Sequence, residues 1–348
     1  MPRLFFSLIF VFAASIASAA EVTDLYKAQA PIESQNEQDR KRLAPDLLKQ
    51  VVVKVVGDRR AVEQADISAL VTDAERYIDQ YYYQQVAVTD SDSDMSQQQL
   101  ILTLDFNANG INTALQRIGL PVWDKIRPES LLWVAIDYQG KQQLITERDE
   151  DSLILQIEQA AKKRGIPLLM PLLDLEDQSQ LSLNDISTGN TTAVQQASER
   201  YGASIVVTAR VVGNAEATEI SWQAILGDDI ERWSSQGNVQ TAIQQGVDEL
   251  ADRLGRRLNM PISSAGDVEL TMEVSGVNDF DDYSRLMDYL GSLQVVTDIK
   301  VGSLGTEKLD LVLVIQAEPE RFRQLLSMGR VVQPDSTDNT GLQYRLLP

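Results

Sequence analysis

Arg200-Tyr-Gly-Ala-Ser-Ile-Val-Val-Thr-Ala-Arg-Val-Val212 is an apolar run entered through Tyr201-Gly202 and left through Gly213-Asn214. Its valines and isoleucine lose little freedom in an extended chain and pack well on a pleated surface, so it reads as a buried strand. The segment before it, 191–201, carries Ala193, Val194, Ala197 and Tyr201 at helical spacing, and Gly202 supplies the left-handed residue that ends a helix. After it, Glu219 to Leu226 and Ile230 to Gly237 read as a hairpin joined by Gly227-Asp228-Asp229 and bearing Trp222 and Trp233. A helix over 239–258 follows.

Upstream, Leu131 to Ile136 is a continuous apolar strand, and 151–164 is a helix turning Leu153, Ile154, Ile157, Ala160 and Ala161 inward, with Gly165 at its cap. Leu168 to Leu173 begins another strand. Pro171 cannot donate to a ladder, so that strand lies at an edge or stops at Met170. Strand, helix, strand, helix, strand at these lengths implies parallel pairing with crossover helices. Residues 129–260 therefore read as a central α/β domain whose mixed sheet gains an antiparallel, tryptophan-bearing extension.

Residues 20–128 read as an amino-terminal α+β domain. A strand within 22–32 leads to a helix opened by a capping box, Ser34 with Glu37. Pro45 is expected to break or restart that helix. Leu47, Leu48, Val51, Val52 and Val55 then share one face, although the valines leave a strand open as an alternative. A second helix is expected from Asp66 to Tyr81, burying Ile67, Leu70, Val71, Ala74, Tyr77, Ile78 and Tyr81, before a hairpin of Gln84–Thr89 with Gln97–Phe106 and a short helix over 108–118. Asp90, Asp92 and Asp94 copy the opening of a calcium loop, but Met95 and Ile101 stand where its glycine and bidentate acid belong, so the turn reads as solvated. Of Tyr81-Tyr82-Tyr83, alternation exposes at least one.

From 267 to 348 the order is β-α-β-β-α-β, the ferredoxin-like arrangement, after a linker rich in Pro, Ser and Gly. The expected fold class is thus α+β and α/β multi-domain.

Arg3, the apolar stretch Leu4 to Ala14 and Ala17-Ser18-Ala19 form a secretory signal peptide over 1–19, cleaved near Ala19/Ala20. This places the protein in the periplasm with no stable membrane insertion. The chain has no cysteine, hence no disulfide framework, and no histidine, which removes His-based triads and His-ligated zinc. Without Arg3, 30 basic residues face 51 acidic ones, a net charge of −21 that repels nucleic acid. Arg40-Lys41-Arg42 and Lys162-Lys163-Arg164 are expected to be solvated helix faces. No cofactor is implied.

Val-Val-Lys-Val-Val-Gly-Asp58, Leu-Leu-Trp-Val-Ala135, Tyr201-Gly-Ala, Trp233 and Asp282-Tyr-Ser-Arg-Leu-Met-Asp-Tyr-Leu290 together resemble an exported Gram-negative family catalogued as domain of unknown function 2066. Residues 130–255 also resemble the α/β domain in the amino-terminal part of TolB and in outer-membrane lipoproteins that activate penicillin-binding proteins or secrete curli, without the lipid-bearing cysteine of the latter. The second resemblance implies binding of other proteins, by fold analogy.

Ligands of open α/β sheets sit outside the carboxyl ends of the strands. Those ends carry Asp137 with Tyr138, Asp174 with Glu176 and Asp177, and Arg210. Paired carboxylates do acid/base work or hold a cation, but acidic residues also gather at helix amino-termini as caps. The expectation is a non-enzymatic envelope module that binds envelope proteins, with self-association through a sheet edge. A glycan or peptide binder, or a carboxylate-dependent hydrolase, is the alternative. It requires Asp137, Asp174 and Glu176 to converge in a cleft with raised pKa values.

Overall fold

The computed structural model describes residues 20–89, 96–123, 125–146, 152–258, 267–293, 295–305, 308–329, 331–335 and 342–347. The segments expected to form a signal peptide and an Asp90–Asp94 turn, and nearly all of the Pro/Ser/Gly linker, lie outside them. Among the described residues, mixed α and β structure is organised around three larger sheets and their cores, with one further two-stranded sheet that pairs 20–21 with 126–127. No described helix is long and apolar enough to cross a membrane.

In chain order come β1 (Ala20–Glu21), β2 (Lys27–Pro31), α1 (Glu37–Val56), α2 (Arg59–Gln64), α3 (Ser68–Thr72), β3 (Ile78–Thr89), β4 (Ser96–Phe106) and α4 (Ala108–Arg117). The sheet β2-β4-β3 lies against α1, whose Leu47, Leu48, Val51, Val52 and Val55 are fully buried, which settles the helix-or-strand question. The expected capping box is not formed. Asn36 caps α1 by accepting from the Asp39 amide at 2.7 Å, while Ser34 Oγ bonds the Asp39 carboxylate at 2.6 Å. Nor does Pro45 break the helix. The carbonyl its ring leaves without a helix bond, four residues back, belongs to Lys41, which is exposed.

The helix expected over 66–81 is also corrected. It stops after one turn at Thr72, a 3-10 turn follows over Ala74–Tyr77, and Ile78 already pairs with Phe106 across the hairpin. Strand pairing overrode a helical spacing of apolar residues, so Tyr81 is exposed rather than buried.

The chain continues through β5 (Ile126–Arg127), β6 (Ser130–Tyr138), β7 (Lys141–Ile145), α5 (Ser152–Arg164), β8 (Leu168–Leu169), α6 (Leu175–Gln180), α7 (Leu183–Thr188), α8 (Thr191–Ser198), β9 (Ile205–Gly213), β10 (Thr218–Leu226), β11 (Asp229–Gly237) and α9 (Val239–Leu258). The opening stretch becomes β9, between β6, with which it is parallel, and β10, with which it is antiparallel. The sheet runs β11-β10-β9-β6-β7, with β8 parallel to β6. Strand β7 was not legible in sequence: it is polar, and Gln139-Gly140 turn the chain with positive φ at both residues. One sheet face packs on α5 and α9, and Trp222 and Trp233 stack there at 6.1 Å with their indoles bonded to Ser235 Oγ and the Gly246 carbonyl.

The last elements are β12 (Val268–Ser275), α10 (Phe280–Ser292), β13 (Val296–Leu304), β14 (Lys308–Ile315), α11 (Pro319–Gly329), β15 (Val332–Pro334) and β16 (Leu342–Leu346). Their sheet order is β13-β14-β12-β16-β15; β12 and β16 are parallel, so the last strand departs from the antiparallel ferredoxin-like sheet expected, because β15 reverses the chain at the edge before β16 pairs with β12.

The first two sheets are joined where helices end. The carboxyl end of α1 presents carbonyls with no partner inside the helix. Arg127 donates to Lys54 O at 2.8 Å, the Trp123 amide to Val55 O at 2.8 Å, and Arg164 to Gly57 O at 2.8 Å. Arg127 also bonds the carbonyls of Arg164 and Gly165 at the end of α5, and lies 3.9 Å from the Trp123 ring. Gly57 has φ +78 and meets Gly255 of α9 so closely that a Cβ on Gly255 would come 2.7 Å from the Gly57 carbonyl carbon. Contrary to expectation, Arg164 is not on a solvated face: it is 4% exposed and bonds Asp248 and Asp252 of α9, each at 2.7 Å. Arg59 takes the other side of Asp252 at 2.8 Å. Burial disfavours the Asp252 carboxylate, but the Arg59 hydrogen bond and the Arg164 charge outweigh it and hold its pKa below the ordinary value.

Replacing Asp252 by Asn takes one of two carboxylates from the buried Arg164 guanidinium, which keeps Asp248, and should cost about 1.5–3 kcal/mol in denaturant melts. Removing Arg60, whose pair with Glu249 faces solvent, should cost at most about 1 kcal/mol. Lys54 gives a pH-dependent test. Its ammonium is buried against Asp24 O and Lys27 O, and burial together with the Arg127 charge lowers its pKa from 10.5 to about 8. Between those values the unfolded chain holds a proton that the folded chain has lost, so this residue makes stability rise with pH across that window. The stability difference between the native chain and Lys54→Met should therefore climb from pH 8 to 10.5 and be flat below pH 8.

Candidate functional site

Alternation along β6 sends Leu132, Val134 and Ile136 to the α5/α9 face and Leu131, Trp133 and Ala135 to the other, where α7 and α8 pack. Trp133 Nε1 donates to Ser198 Oγ at 2.9 Å, and its ring meets Tyr201 edge-on at 6.1 Å. The Tyr201 hydroxyl in turn donates to Asp177 Oδ2 at 2.5 Å and accepts from the Leu172 amide at 2.8 Å. Arg200 beside it bonds Asp174 at 2.8 Å and Asp177 at 3.2 Å, and lies 3.5 Å from Glu176. Asp174 is the cap of α6, accepting from the amides of Glu176 and Asp177.

These bonds pin the segment 171–175 from several sides. Leu172 is held through its amide, Leu173 through its carbonyl by Gln178 at 2.7 Å, and Asp174 through its carboxylate. Leu173 adopts φ +48, a left-handed conformation uncommon for a residue with a Cβ. The result is a rigid knuckle with Leu172 46% and Leu175 85% exposed. Its charges are fixed as well. The Arg200 hydrogen bond, helped by the α6 amides, holds Asp174 down to about 2. Burial, then the bond to Asp177, pushes Tyr201 up to about 12. Near neutrality neither group exchanges a proton.

The candidates drawn from sequence fall in two places. Asp174 and Glu176 sit together on Arg200. Asp137 is at the far end of β6, opposite Gln142, on the Trp133 face but four residues and roughly 13 Å further along. Arg210 is on β9, in register with Ala135 and partly buried. Tyr138 turns to the opposite face and packs against the α5/α9 core. Convergence of Asp137 with Asp174 and Glu176 is not what the fold produces, and among the described residues no His, Cys, Asp or Glu cluster is arranged to hold a metal ion. Arg200 and Tyr201 organise the site, yet in sequence they read only as a helix end. Leu172 reads as part of a strand and Leu175 as part of the loop after it, with Pro171 the one hint that the strand stops.

A family model for a domain of unknown function, DUF8605, matches residues 19–124. This overturns the expected membership of domain of unknown function 2066. The segments behind that resemblance, a valine-rich helix, an apolar strand and Tyr-Gly, are those any such helix-on-sheet packing uses. No curated protein matches. Among solved structures the chain is similar to the LpoB C-terminal domain from Salmonella enterica, at 23% identity and TM-score 0.24, covering 37% of this chain and 91% of that one. It is also similar to E. coli LpoB, at 18% identity and TM-score 0.21, over 36% and 61% of the two chains. TolB from Acinetobacter baumannii is similar at 12% identity and TM-score 0.21, over 56% of this chain and 35% of its own.

Tyr201→Phe removes a donor from buried Asp177 and an acceptor from Leu172. It should lower stability by about 1–3 kcal/mol and speed hydrogen exchange at the Leu172 amide, while the amides of β9 keep their protection.

Proposed function

We propose that this protein is a non-enzymatic module of the cell envelope, located in the periplasm, that works by binding another protein at the Leu172/Leu175 knuckle. The observation that carries this reading is the combination of exposure and rigidity: two leucines face water on backbone that three separate side chains hold in place. A surface already ordered before binding loses little conformational entropy on association, and apolar anchors with a polar rim make up the energetic centre of an interface. The rim here is acidic, through Asp174 and Glu176, so the fitting partner is an apolar pocket edged with basic residues. Export rests on the leader read in residues 1–19. The hydrolase reading finds less support, because Asp174 at about 2 is no general acid and Asp137 lies apart.

The test is site-specific photo-crosslinking in the native cells. A photoreactive residue at Leu175 should give a discrete protein adduct that one at Gln236 on β11 does not. Leu172→Asp should reduce that adduct about tenfold with an unchanged melting temperature. The same adducts from both positions, or none from Leu175, would refute the proposal.

A further inference from the structure

The outer half of the β3–β4 hairpin plays no part in the knuckle. Strand β2 pairs with β4 from Asp105 to Ile101, with a last bond from the Ile32 amide to Leu100 O, so beyond Gln85 the hairpin continues as a two-stranded ribbon. In the order β2-β4-β3, β3 is outermost, and its main packing partner among the described elements is β4. Tyr81, Tyr82 and Val86 are 49%, 46% and 44% exposed, and Gln84, Gln85 and Ala87 are exposed as well. No residue from 80 to 89 or from 96 to 104 carries a charge, in a chain that is 24% charged.

Free edges are normally blunted by lysine, proline or a bulge, because their unpaired amides and carbonyls template another strand. Strand β3 has no lysine or proline, and its one irregularity lies at its start, between Ile78 and Gln80. A two-stranded ribbon is by itself only marginally stable. We infer that β3 pairs antiparallel with β3 of a second copy of this chain, about a two-fold axis at Gln84.

Two observations choose a second copy over a foreign strand. With a net charge of −20, two copies repel over most of their surfaces, whereas residues 80–89 carry no acidic group and the charge beside their rings is the Arg40 guanidinium, 4.1 Å from the Tyr81 ring. The strand is also self-complementary. Centred on Gln84, Tyr82 of each copy lies opposite Val86 of the other, Tyr81 opposite Ala87, and Tyr83 opposite Gln85. Every ring meets a smaller residue, and aromatic against β-branched is a favourable cross-strand pair. Joining the two sheets covers both free edges at once.

The absence of cysteine makes the test direct. Opposed residues of antiparallel strands have Cα atoms roughly 4.5–5.5 Å apart, within disulfide reach. In the full mature chain, Gln84→Cys should oxidise to a covalent dimer at least about tenfold faster than Gln236→Cys. Sedimentation should show a concentration-dependent dimer of the native chain, and Val86→Lys should halve its mass with an unchanged circular dichroism spectrum. A monomer at all concentrations, a dimer indifferent to Val86→Lys, or equal oxidation rates of the two cysteine variants would overturn the inference. So would a monomer whose position 84 crosslinks in cells to a different protein. None of these outcomes bears on the Leu172/Leu175 knuckle, which the photo-crosslink at position 175 tests separately.

Discussion

The Arg127 guanidinium lies where the carboxyl ends of α1 and α5 converge, and it is fully buried. Each helix end brings carbonyls that its own backbone cannot satisfy, and together they form a negative pole. An uncharged donor would satisfy one of them; a planar cation with five N–H groups reaches several. The indole of Trp123 covers its face, completing a site where a charge survives removal from water. Arg164 repeats the arrangement one step away, using Gly57 O together with two carboxylates of α9. Through these two residues the amino-terminal sheet is fixed to the central one by polar contacts that must all be made together, since each guanidinium left without its partners becomes a buried unpaired charge.

That anchorage loads one face of the central sheet with α5 and α9, and leaves the other to short helices. Helices of six to eight residues gain little from their own hydrogen bonds. Side-chain fixtures hold them instead: Asp174, Ser182 and Asn190 as caps, and Arg200 and Tyr201 as struts. The knuckle belongs to this side-chain-fastened layer, which explains how its backbone holds an unfavourable φ at Leu173 without a covering helix.

Much of the architecture was legible because burial writes a period into the sequence. Residues 205–212 and the alternating strands after 268 each announced their element, whereas the valines of α1 left helix and strand both open until packing decided. What failed was decided by long-range partners. Ile78 and Tyr81 kept a helical spacing while β4 drew them into a ladder, and Pro45 was tolerated where the residue four back, Lys41, is exposed. Arg164 looked like the end of a basic run, and only the arrival of α9 from nearly a hundred residues away made it a core residue. The site was less legible than the fold. Asp174 and Glu176 were singled out for chemistry and turn out to share a cap and an ion pair, whereas Leu172 and Leu175 gain meaning only from where the strand stops.

The polar joint between the first two sheets also determines which conditions the assembly can sense. Where domains are stapled by disulfides, the staple's integrity follows the thiol–disulfide poise of its surroundings. Here there is no cysteine to form one, and the equivalent fastening is made by guanidinium groups that keep their charge throughout the physiological pH range. Attachment of the two parts is therefore indifferent to oxidants and reductants and needs no isomerase to find its pairing; it forms and dissolves with folding itself.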